Sequence, residues 1–203
     1  MHSADDRGAA GRDRDAALDD RGAGDNQPAS AVSDRHDAHL DRDDAEIDRR
    51  SASLDDLTGA YLRRPGLLEL ARDVSRARRD NRPLVVAFLD LDRLKTVNDQ
   101  SGHAAGDQLL RDVAHVVQAQ LRPHDLIIRF GGDDFVCVVT GLALVEVAGR
   151  LTAANAVLGH GPVPGSVTFG LAELEPDDTA VVLIARADRA LYQQRNSRPP
   201  TTE

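Results

Sequence analysis

The segment LIIRF-GGDD-FVCVV at residues 126–139 constrains this chain more than any other. Two short runs of β-branched and aromatic residues flank a turn made only of glycine and aspartate, which is the pattern of a β-hairpin. A second run, LVVAFLD at 84–90, is apolar until its last residue and reads as a strand buried in a sheet. SVTFGLAEL at 166–174 alternates as a further strand.

The stretches between these strands carry helical spacing. Leu67, Leu68, Leu70, Ala71 and Val74 form a stripe that ends near Asn81-Arg82-Pro83. Leu109, Leu110, Val113, Val116, Val117 and Leu121 form another within 104–121. Residues 143–158 and 179–195 read as two more helices, the last one amphipathic. Helices alternating with strands around one hairpin predict an α/β (α+β) sandwich with a mixed central sheet of about five strands.

The first 53 residues differ in kind. They hold 14 Asp/Glu against 8 Arg, so they carry −6 of the net −9, and almost no large apolar side chains. Such a segment cannot offset the entropy of folding. Asp-Arg recurs in it with a period of seven, at 6–7, 13–14, 20–21, 34–35, 41–42 and 48–49. Its Ala and Leu columns stand two positions apart, which makes a poor coiled-coil seam. The expected organisation is a charged tail over 1–53, disordered to partly helical, a folded domain over 54–196, and a disordered end over 197–203.

Composition narrows the function. A net charge of −9 argues against sequence-independent nucleic-acid binding. One cysteine, Cys137, excludes an intrachain disulfide and a cysteine-based zinc site, and fits a cytoplasmic protein. No apolar run nears the ~20 residues that span a bilayer, and the N-terminus has no apolar signal core, so no membrane insertion is expected.

Acids, glycines and amides gather near the predicted strand ends. Asp90 ends a buried strand, where an unpaired carboxylate is costly and a cation or metal is the usual partner. Gly131 and Gly132 give a tight turn that a ligand can approach, with Asp133 and Asp134 following. SGHAAGD at 101–107 is a glycine-rich entry into a helix. Taken singly, each segment also suits an ordinary turn or helix cap.

Together they are specific. DDLTG (55–59), DLDRLKTVNDQSGHAAGD (90–107), RPHD (122–125), RFGGDDF (129–135), VTFG (167–170) and ARADRALY (185–192) follow in order and spacing. This series resembles the GGDEF family of diguanylate cyclases over about residues 55–195. The resemblance implies a nucleotidyl-cyclase-like fold and the condensation of two GTP into cyclic di-GMP. It implies Mg2+ or Mn2+ held by Asp90, the Leu91 carbonyl and Asp133, with Asp134 assisting in metal binding or proton transfer. It implies that Lys95 touches the triphosphate, that Asn98 and Asp107 read guanine, and that Gly131 and Gly132 lie against the nucleotide. Arg195 stands where the family has a phosphate-binding Lys, and Arg198 lies near the place of a second basic residue. Arg122 and Asp125 resemble an inhibitory site for the product.

Each domain of this kind holds one GTP, so the resemblance also implies a homodimer. The chain departs from the family in GGDDF for the usual fourth-place Glu, in Leu94 for Phe and in Leu62 for Asn. The alternative expectation is a domain of weak activity that binds GTP or cyclic di-GMP as a receptor or scaffold.

Overall fold

A computed structural model describes residues 52–161 and 163–197. The heptad repeat, nearly all of the expected tail, and Arg198 lie outside the described residues.

The elements run β1 (Tyr61–Leu62), α1 (Arg63–Arg79), β2 (Leu84–Leu91), α2 (Leu94–Ser101), α3 (His103–Gln120), β3 (Leu126–Arg129), β4 (Asp134–Thr140), α4 (Leu144–Leu158), β5 (Val167–Glu173) and α5 (Ala180–Ser197). The five strands form one sheet in the order β1-β3-β4-β2-β5. β1 pairs with β3 in parallel and every other pair is antiparallel. The expected mixed sheet is therefore present, with helices on both faces. Two elements escaped the sequence reading, the two-residue β1 and the short α2.

β2 explains the layering. Side chains alternate along a strand, and β2 is apolar at both parities. Val85, Ala87, Leu89 and Leu91 enter one core with Leu109, Val113 and Val117 of α3 and Val147 and Leu151 of α4. Leu84, Val86 and Phe88 enter the other with Leu70 and Val74 of α1 and Leu183, Ile184, Ala187 and Leu191 of α5. Burying both faces removes Leu84–Leu89 and Leu91 from water, and only Asp90, near the strand's end, is partly exposed.

The helices follow from their apolar spacing. Gly66, Leu70, Val74 and Ala77 make the buried stripe of α1, and Arg76, Arg78 and Arg79 in its last turn complement the helix dipole. α5 lies tight against β5 because Gly170 has no side chain. A Cβ there would collide with the backbone of Leu191 and Ala187. Cys137 is fully buried in the sheet, and burial pushes its thiol pKa up. Among the described residues no helix is long and apolar enough to cross a membrane.

Gly170→Ala is expected to force α5 away from β5 and to cost about 1–3 kcal/mol, the range for overpacking a filled core. Thermal or denaturant unfolding of the purified variant checks this.

Candidate active site

The site begins with strand register. β2 and β4 pair so that Asp90 stands opposite Asp134. The Leu91 N–H then donates to the Asp133 carbonyl at 3.0 Å. On the other side of the turn, Phe130 N and Gly131 N both donate to the Asp134 carbonyl, at 2.8 and 3.2 Å. The turn is thus drawn over the end of β2, and Asp90, Asp133 and Asp134 come into electrostatic reach of each other.

Neither turn glycine has positive φ. A Cβ at Gly131 would meet the end of the Asp134 side chain at 2.8 Å and displace that carboxylate, while Gly132 faces open space. The tight turn is present without left-handed backbone at either glycine, and the open approach lies at Gly132.

The acids are under strain of charge. Burial raises the Asp90 pKa from 3.8 to about 6; Arg195 pulls it down while Asp133 and Asp134 push it up. Burial likewise raises Asp134, helped by Asp133 and Asp188 and opposed by Arg195. Arg195 on α5 forms an ion pair with Asp90. Asp188 stands two helical turns before Arg195, so it shares that face and adds negative potential. The sequence reading gave Asp188 no role, although helical spacing of seven residues along α5 aligns it with Arg195.

The other expected residues come from α2 and α3. Lys95 is exposed and Asn98 half-buried on α2, three residues apart and so on one face. Asn98 packs against α3 at Gly106, where a Cβ would collide with its carboxamide. The next residue, Asp107, is exposed. α2 and α3 meet at Asn98 and Gly106, and Asp107 follows that contact on α3.

A brace joins the start of the domain to the turn. Arg129 Nη1 donates to both Asp55 oxygens at 2.9 and 3.1 Å, and Nη2 donates to the Gly132 carbonyl at 3.0 Å. Asp55 also accepts from Thr58 N and Oγ1 at 2.9 and 2.6 Å. Burial works to raise the Asp55 pKa, and the bonds from Thr58 and Arg129 outweigh it and hold the carboxyl below its ordinary value.

Arg122 and Asp125 sit elsewhere. They lie at the far end of β3 from the turn, about 13 Å away by strand rise. Asp125 has a fully buried side chain. Its oxygens accept from Arg122 N at 2.9 Å and Thr140 N at 3.4 Å. That carboxylate shapes its own turn.

A divalent cation fits the donor set. The converging groups are carboxylates, hard oxygen ligands whose mutual repulsion a cation relieves. Among the described residues no three acidic, His or Cys side chains are grouped so as to hold a metal ion by themselves, so phosphate oxygens and main-chain carbonyls would have to complete the ligand set.

The family described as diguanylate cyclase, GGDEF domain, matches residues 52–199. The chain is 33% identical over 150 residues to diguanylate cyclase DgcP of Pseudomonas aeruginosa, covering 70% of this chain and 22% of that protein. It is 33% identical over 148 residues to diguanylate cyclase DgcS of Shewanella oneidensis, covering 70% and 49%. The chain therefore spans less than half of these curated relatives. Among solved structures, the coiled coil and GGDEF domain of DgcB from Caulobacter crescentus with c-di-GMP matches with TM-score 0.73 and 28% identity, over 86% of this chain and 97% of that one.

Asp90→Asn is expected to unfold at a higher temperature than the wild type at pH 7.5, with a smaller gain at pH 4.5. The sign follows from a folded pKa of about 6 above an ordinary 3.8. The folded chain binds the proton more tightly, so wild-type stability falls as pH rises between those values. Unfolding curves of both proteins across that range measure it.

Proposed function

The chain belongs to the GGDEF-domain family of diguanylate cyclases, and from that premise we propose that it condenses two GTP into cyclic di-GMP, releasing two pyrophosphates, as a homodimer dependent on Mg2+ or Mn2+. The observation that supports this best is the convergence of Asp90, Asp133 and Asp134 at the end of β2, beneath an open turn and beside Arg195.

In this reading Asp90, Asp133 and the Leu91 carbonyl would hold the cations, with Asp134 assisting. When bound, such ions polarise the α-phosphate and stabilise the leaving pyrophosphate. The chain's own residues do the rest. Lys95 and Arg195 offer positive charge to the triphosphate. Gly132 leaves the turn open so that the nucleotide reaches main-chain atoms. Asn98 and Asp107 read guanine. A carboxylate accepts both N1–H and the exocyclic amine of guanine, a pattern adenine lacks, and the wrong base leaves the carboxylate unpaired.

Two phosphodiester bonds must form, so each GTP serves as nucleophile and as electrophile. Two domains facing each other across a two-fold axis meet that need. For product inhibition we assign ligand contact to Arg122, with Asp125 holding the turn that presents it. We place the domain at 54–196 and the protein in the cytoplasm.

A receptor or scaffold role is the second reading. Asp134 favours it, since Asp is a methylene shorter than the family's Glu and reaches about 1.5 Å less.

Purified protein incubated with GTP and Mg2+ or Mn2+ is expected to yield cyclic di-GMP by mass spectrometry, with activity per chain rising with protein concentration. Asp133→Ala is expected to lower the rate at least 100-fold. Nucleotide binding without product would favour the receptor. Arg122→Ala is expected to weaken cyclic di-GMP binding about tenfold while turnover at low product is retained, read by calorimetry and initial rates.

A further inference from the structure

Resting on the cyclase reading, we propose that Asp92 is a positioning residue. Its carboxylate clamps the β2–α2 turn to β5 and so sets where Lys95 and Asn98 stand relative to Asp90.

Asp92 is the second acid of the DLD segment, and the metal assignment leaves it unused. β2 ends at Leu91, one residue earlier. The Asp92 N–H donates to the Ser166 carbonyl at 2.9 Å. Its two oxygens accept from Ser166 Oγ at 2.6 Å and Thr168 Oγ1 at 2.7 Å. These are short, charge-assisted bonds, stronger than neutral ones. Thr168 is 2% exposed, so its hydroxyl requires an internal acceptor. The carboxylate is thus directed to β5 by two hydroxyls.

The next residue makes the clamp consequential. Arg93 has φ 64°, in the left-handed region. A non-glycine residue there costs of the order of 1–2 kcal/mol and persists where neighbouring contacts dictate it. This residue turns the chain from β2 into α2 and thereby sets the direction of the helix that bears Lys95 and Asn98.

Hydrophobic packing fixes α2 weakly. No residue of the helix is buried. Leu94 and Val97 reach the core only in part. Behind the helix, toward the start of β5, lies a cavity of about 400 Å³ lined by Asp92, Arg93, Thr96, Gln100, Pro164 and Ser166. With space on that side, α2 is held by the partial packing of Leu94 and Val97 on the core, by α3 through the Asn98–Gly106 contact, and at its start by the Asp92 clamp. Misplacement by about 1 Å at a reacting centre can cost as much as 100-fold.

The test separates positioning from simple stability. Ser166→Ala with Thr168→Val removes both hydroxyl donors and leaves Asp92 and every proposed ligand in place. Three readouts are taken on the full chain: amide hydrogen exchange over residues 91–98, GTP affinity by calorimetry, and KM and kcat for GTP. The expected result is faster exchange at 91–98, GTP affinity roughly tenfold weaker, and KM raised by more than kcat is lowered, in a protein that still unfolds cooperatively. Ser166→Thr, which keeps a hydroxyl, is expected to recover most of the affinity lost in Ser166→Ala. Unchanged exchange over 91–98 would overturn the clamp. Faster exchange with unchanged GTP affinity would reduce Asp92 to a local structural role and overturn the positioning claim. A wild-type chain that binds GTP without turning it over refutes the cyclase reading alone, and the exchange and affinity results still decide the clamp. A wild-type chain that binds no GTP overturns both.

Discussion

The pairing of β2 with β4 governs this domain. A one-residue slip would exchange the two faces of β2, moving Val85, Ala87 and Leu89 out of their core and Leu84, Val86 and Phe88 into it. The same slip would separate Asp90 from Asp134. The apolar cores therefore enforce the meeting of the acids. The acids themselves oppose it, as the raised Asp90 and Asp134 pKa values record. Hydrophobic burial of a strand on both faces supplies the free energy that holds like charges together at its end.

The second face of the sheet supplies the counter-charge. Gly170 lets α5 settle against β5, and Leu183, Ile184, Ala187 and Leu191 anchor it there. That placement carries Arg195 to Asp90. It also carries Asp188 toward Asp134, which works in the opposite sense. α5 thus delivers one cation and one further anion, and the cluster stays short of positive charge. A site in that state suits divalent cations and disfavours additional carboxylates.

Much of this was legible in the sequence. Apolar runs gave four of the five strands, helical spacing gave four of the five helices, and the hairpin fell where GGDD placed it. α2 was missed because Leu94, Lys95, Thr96, Val97 and Asn98 bury nothing fully, so no apolar stripe marks it. β1 was missed because two residues carry no period. The family resemblance grouped Asp90, Asp133 and Asp134; strand ends alone left each of them open to an ordinary turn or cap. The Asp55–Arg129–Gly132 brace could not, since its partners lie 74 residues apart and no local pattern links them. The buried role of Asp125 was hidden for a different reason: Arg-x-x-Asp looks the same whether the acid faces a ligand or accepts from the backbone N–H three residues before it.

Asp92 and Asp90 make the closing contrast. They stand two residues apart in one motif, yet they meet opposite partners. Asp90 remains within the strand, pairs across to β4, and faces other acids and Arg195. Asp92 follows the strand's end and meets hydroxyls of β5. The hydroxyls engage both Asp92 oxygens in hydrogen bonds, whereas the acids around Asp90 repel its charge and favour cation capture. Identical side chains are thus divided between holding the backbone and holding charge by what the adjacent strands present.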